Sequence, residues 1–147
     1  QYAASSYGGV PQRFEAGTPN YVGAISLGCA MEYLQSVGRI ELAQQEQILT
    51  VLLRKELATI PEVTVIGTPN RRCGVVSFVV PGIPPFDLDS QGIAVRTGHL
   101  CAQPLVNQLG YDSVIRVSPA FYNTEQEILG FISALKRTIP LLKGEWT

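Results

Sequence analysis

The chain has 147 residues, 46% of them hydrophobic and 16% charged, with a formal net charge of -1. That length is one ordinary domain with room for a sizeable core, and the near-neutral charge leaves no electrostatic footprint for nucleic acid or an anionic membrane. No run approaches the ~18 consecutive apolar residues of a membrane span, and the polar, glycine- and serine-containing residues 1–12 do not read as a signal peptide.

The first ~18 residues carry Gly8, Gly9, Pro11, Gly17 and Pro19 and read as an extended arm. A helix is expected over residues 20–37, with small and apolar residues on several faces, and hence largely buried; Gly38 is a natural stop. A second helix is expected over 40–59, where Leu42, Leu49, Leu52, Leu53 and Leu57 recur near helical spacing. Residues 62–66 alternate polar and apolar and read as a strand, 67–72 as a turn, and 73–80 as a central strand. The Pro81-Gly82-Ile83-Pro84-Pro85 stretch suits neither a sheet ladder nor a helix interior. A short helix over 86–91, a strand over 93–96, a loop over 97–103 and a short helix opened by Pro104 follow, then a strand over 114–118. In the last helix, Thr124 and Glu127 have the capping-box form, and Ile128, Phe131, Ile132, Leu135, Ile139 and Leu142 make one apolar stripe. The element order implies a two-layer α+β domain with helices packed on one face of a mostly antiparallel sheet.

Three cysteines, Cys29, Cys73 and Cys101, are an odd count without a CxxC pair, which argues against a disulfide framework and against a zinc site. A reducing compartment is expected: the cytoplasm, or the plastid stroma in a plant. Cys29 reads as a small hydrophobe in a buried helix. Cys73 reads as structural, with Arg71 and Arg72 the only local reason for reactivity. Asp87 and Asp89 have no further ligands nearby, so a metal site is not expected.

Chemistry concentrates in Arg96-Thr97-Gly98-His99-Leu100-Cys101-Ala102-Gln103-Pro104, a loop holding one thiol, one imidazole and one guanidinium within six positions. Thiolate is the nucleophilic form of cysteine, and neighbouring cations favour it. Gly98 lets the backbone turn tightly. Arg116 lies inside the apolar stretch Val114-Ile115-Arg116-Val117 and needs a partner there. That partner is either a protein carboxylate in a structural ion pair or the carboxylate of a ligand, which guanidinium matches in bidentate fashion.

Three blocks resemble successive signatures of group II cysteine desulfurases, the SufS and selenocysteine lyase type of the class V aminotransferase superfamily. They are Arg13-Phe14-Glu15-Ala16-Gly17-Thr18-Pro19-Asn20, the segment from Gly92 to Ala102, and Arg116-Val117-Ser118-Pro119-Ala120-Phe121-Tyr122-Asn123-Thr124. They come in the family's order and at about its spacing. The resemblance implies the small C-terminal domain of a fold-type I enzyme over residues 20–147, preceded by the arm over 1–19. It also implies pyridoxal-phosphate chemistry that takes sulfur from L-cysteine, leaves alanine, and supplies iron-sulfur cluster assembly. By the same resemblance Cys101 is the persulfide-forming nucleophile and Arg116 holds the substrate carboxylate. Arg96, Gly98 and His99 shape the cysteine loop, while Gly17 and Thr18 reach the cofactor of the partner subunit in the intact dimer. Asn123 and Thr124 are read as structural.

The family's cofactor lysine follows a histidine in the large domain. Here the one histidine, His99, precedes Leu100, and Lys55, Lys136 and Lys143 fall on helices, so this chain alone is expected to lack the Schiff-base lysine and to be catalytically incomplete. Two further departures are a short segment between Pro85 and Ile93, and Leu100 where many relatives repeat histidine. The implied partners are a separate pyridoxal-phosphate-binding domain or a full-length relative, and a sulfur-acceptor protein; a homodimer stays open. The one methionine is Met31, which points to a fragment or a processed chain. Three outcomes compete: part of a working desulfurase, a stand-alone sulfur carrier or interaction module, and a remnant in which Cys101 is inert.

Overall fold

The computed structural model describes residues 4–67, 73–83 and 92–144. The expected helix over 86–91, Asp87 and Asp89, and the Arg71-Arg72 pair beside Cys73 lie outside these. Backbone contacts group the chain into two units, Gln1–Arg39 and Ile40–Thr147.

In the first unit a short 3-10 turn, Gln12–Phe14, precedes α1, Tyr21–Val37. Asn20 caps α1: its side-chain oxygen accepts the Gly23 N–H at 3.0 Å, satisfying one of the free donors of the first turn. The helix forms as expected, but the burial expected for it does not. None of its residues is buried; Ile25 is 67% and Met31 54% exposed, and Cys29 is exposed rather than sheltered. Apolar content fixes how strongly a helix seeks cover, not whether neighbouring chain supplies it.

The second unit takes up α2, Arg39–Leu57, from Ile40 on and continues through β1, Thr64–Val65; β2, Val76–Val79; β3, Arg96–Gly98; α3, Gln103–Gln108; β4, Val114–Val117; and α4, Glu125–Leu142. The strands form one fully antiparallel sheet in the order β1-β2-β4-β3. Because side chains alternate across a strand, the ladder sorts them onto two faces. Val65, Val76, Phe78, Ile115 and Val117 point one way, where they meet Leu49, Leu53 and Leu57 of α2 and Ile128, Phe131, Ile132, Leu135 and Ile139 of α4 in the main core. Phe78 and Phe131 meet edge to face, their ring centroids 6.3 Å apart. On the other face Val79 and Val114 form a smaller cluster with Val106 of α3, edged by Ile66, Leu100 and Tyr111.

The capping box at α4 is complete: Thr124 accepts the Glu127 N–H, and the Glu127 carboxylate accepts the Thr124 N–H at 2.8 Å. The strands are shorter than expected. The strand expected over 93–96 lies instead at Arg96–Gly98, which pairs with Arg116, Ile115 and Val114 of β4; Ile93 and Val95 pack on the core without joining the ladder. Gly74 stays outside β2, where a β-carbon would come within 2.7 Å of the Pro119 carbonyl oxygen.

Candidate functional site

Arg116 sits at the centre of the sheet, on β4, with Ser77 of β2 directly opposite on one side and Arg96 of β3 directly opposite on the other. Directly opposed residues of an antiparallel pair share a face, so the two arginines lie together on the face away from α2 and α4. Arg116 is half-buried, and its Nε is fully buried without a hydrogen-bond partner. Among the described residues no carboxylate pairs with it; the ion pair found there joins Lys143 and Glu62 at 3.7 Å, elsewhere in the fold. A buried guanidinium N–H without an acceptor is costly, and an anionic ligand on this face would satisfy it.

The cysteine turn leaves the end of β3. Gly98 has φ 102°, a value a side chain would resist. Leu100 and Cys101 follow with φ 56° and 60°. Such left-handed values cost L-residues about 1–2 kcal/mol each and persist only where surrounding structure enforces them. The turn is closed by the Ala102 N–H, which donates to the His99 carbonyl at 2.9 Å, and Ala102 in turn accepts the Val106 N–H at the start of α3. Pro104 is the second residue of that helix rather than its first. The result is an exposed Cys101 whose Sγ accepts from Arg96 Nη2 at 3.7 Å. His99 is exposed beside it.

The fold thus brings Arg96, Arg116 and the Gly98-His99-Leu100-Cys101 turn onto one face. Gly17, with φ 84°, and Thr18 are exposed in the other unit, just before α1. Asn123 and Thr124 serve the backbone: Asn123 Oδ1 accepts the Ala120 N–H at 2.8 Å, and Thr124 caps α4. A cleft of about 350 Å³ beside the start of α4 is lined by Ile93, Val95, Val117 and Phe131; it opens on the core side of the sheet and contains none of the arginines or Cys101. No group of acidic, histidine or cysteine side chains suited to a metal ion occurs among the described residues, and no helix there is long and apolar enough to cross a membrane.

The residues present do not by themselves make a pyridoxal-phosphate site. Lys55 lies on α2, Lys136 on α4 and Lys143 just past it, on the elements that cover the opposite side of the sheet from Arg96 and Arg116. What this face offers is a pair of guanidiniums and an accessible sulfur. Leu100, which the sequence marks only as a departure from the family's repeated histidine, packs its side chain against the Val79, Val106 and Val114 cluster. The available signal was one large apolar residue in an otherwise small and polar turn.

Residues 1–131 match the aminotransferase class-V family. A probable cysteine desulfurase of Mycobacterium leprae is 44% identical over 137 residues, covering 90% of this chain and 22% of that protein. Among solved structures, the apo cysteine desulfurase of Thermococcus onnurineus superimposes with a TM-score of 0.80 at 38% identity, covering 91% of this chain and 34% of the other. The cysteine desulfurase CsdA of Escherichia coli, in its S-sulfonic acid form, gives 0.78 at 32% identity, covering 90% and 34%. The chain therefore spans about a third or less of the length of these relatives.

Proposed function

Because the chain belongs to the aminotransferase class-V family, we propose that it is the small C-terminal part of a group II, SufS-type cysteine desulfurase and carries that enzyme's persulfide-forming residue, Cys101. The contact between Arg96 and the Cys101 sulfur at 3.7 Å, with Arg116 directly across the strand, is the observation that supports this reading best. Relatives that the chain matches over nine-tenths of its length are cysteine desulfurases.

In this reading Arg116 binds the carboxylate of L-cysteine, its buried Nε gaining the acceptor it lacks. That anchors the substrate so that its sulfur faces the turn. The Arg96 guanidinium donates to the Cys101 sulfur at 3.7 Å and holds it at the mouth of the turn. The thiolate forms an S–S bond as the substrate's C–S bond breaks. The electron pair stays with the carbon fragment, which is protonated to alanine. Pyridoxal phosphate, held by the remainder of the enzyme, supplies the electron sink for that cleavage. Exposure of Cys101 then allows the persulfide to pass to the thiol of an acceptor protein, for iron-sulfur cluster assembly in the cytoplasm.

Supplying a purified pyridoxal-phosphate-binding large domain and L-cysteine under reducing conditions tests the proposal. Sulfide should be released with the wild-type chain and not with Cys101→Ala; no sulfide with either rejects it. The same exposure favours one second reading, a stand-alone carrier that accepts a persulfide from another protein. A Cys101→Ala variant that carries as much transferred sulfur as wild type excludes that reading.

A further inference from the structure

We propose that Leu100 is a positioning residue for Cys101: its side chain, seated on the Val79, Val106 and Val114 cluster, holds the turn in the conformation that keeps the Cys101 sulfur beside Arg96. The significance for sulfur transfer rests on the reading of Cys101 as the reacting thiol; the geometry does not.

Leucine has no local reason to occupy φ 56°. The left-handed region suits glycine, and after it asparagine or aspartate, whose side chains bond locally. A bulky aliphatic residue there needs a tertiary contact that outweighs the backbone cost. Leu100 has one. It is half-buried against valines contributed by β2, α3 and β4, whereas His99 and Cys101 on either side of it are exposed. The turn is otherwise closed by the short Ala102-to-His99 hydrogen bond, which leaves the direction of the Cys101 side chain to the backbone angles of residues 100 and 101 and to its own rotamer. Anchoring the side chain of residue 100 to the sheet fixes the angles of the first residue and limits those of the second. Arg96 is itself fixed by the ladder, opposite Arg116. Leu100 thus ties the sulfur to the same sheet that carries its guanidinium partner.

The test is the alkylation rate of Cys101 in the whole chain at neutral pH, followed on its own peptide by mass spectrometry because Cys29 and Cys73 are also exposed. Arg96→Ala and Leu100→Asn should each slow the reaction by at least about twofold, the lower end of coupling between contacting groups. Asparagine tolerates the left-handed backbone but supplies no apolar anchor, so it separates the two contributions. The double variant should be no slower than the slower single, and Leu100→Met should react as wild type does. A merely structural leucine would leave the Arg96 dependence intact in Leu100→Asn. That result, or multiplicative effects in the double variant, overturns the proposal. Circular dichroism checks folding, and Leu100→Ala takes the place of Leu100→Asn should the latter unfold. If the rates couple as expected while a reconstituted enzyme places no persulfide on Cys101, the positioning role stands and the proposed function fails. If persulfide forms in Leu100→Asn with wild-type alkylation behaviour, the reverse holds.

Discussion

Arg96 and Arg116 face each other directly across β3 and β4, two guanidiniums on one side of the sheet. Like charges at directly opposed positions of an antiparallel pair destabilise it. A domain built for stability alone would place a carboxylate in one of these positions. The pair is consistent with a surface kept positive for an anion.

The repulsion gives a stability prediction with an unusual sign. Arg96→Gln should raise the urea midpoint at about 0.01 M salt, where charges interact over long distances, and the gain should shrink at about 1 M salt. Equal midpoints of variant and wild type at both salt levels would show that the two charges do not oppose folding.

The capping box at α4 predicts a pH dependence. Hydrogen bonds donated to the Glu127 carboxylate by the Thr124 backbone, the Asn123 side chain and the Thr124 hydroxyl hold its pKa below the ordinary glutamate value, against a smaller opposing effect of desolvation. A carboxyl group whose folded pKa is depressed stabilises the fold above its unfolded pKa, and that stabilisation is lost as pH falls through the folded value. Wild type should therefore lose more thermal stability than Glu127→Gln between pH 6 and a pH below about 4. Parallel losses would show that the carboxylate is not engaged.

The close approach of Gly74 to the Pro119 carbonyl predicts that Gly74→Ala destabilises the domain, because the new β-carbon would lie 2.7 Å from a backbone oxygen that has no rotamer to escape into. Overpacking of this kind costs on the order of 1–3 kcal/mol. Thermal denaturation measures it, and an unchanged midpoint would mean that the Pro119 segment yields freely.

Which of these features the sequence discloses follows from the range over which each is determined. The bounds of α1 and α2, and α4 with its capping box, are readable because caps, stops and apolar spacing are local. The antiparallel class of the sheet is readable from the element order. The exposure of α1 and of Cys29 is not, since periodicity says which residues are apolar and not what covers them. Nor is the placement of β3, which is set by the register of β4 from nearly twenty residues away. The loop with Arg96, His99 and Cys101 stands out by residue type, and Arg116 by its charge in an apolar run. Their shared face emerges only once the ladder aligns residue 96 with residue 116. The positive φ of Leu100 and Cys101 is invisible to propensity, because tertiary packing imposes it on residues that would not choose it.

The function proposed for this chain depends on Cys101 accepting sulfur. Incubating it with a pyridoxal-phosphate-binding large domain and L-cysteine, then mapping the peptides by mass spectrometry, tests that directly. The account predicts a gain of one sulfur atom on the Cys101 peptide, reversed by reductant and much reduced in Arg116→Leu. Sulfur on Cys29 or Cys73 instead, or on no peptide while alanine is produced, would contradict it.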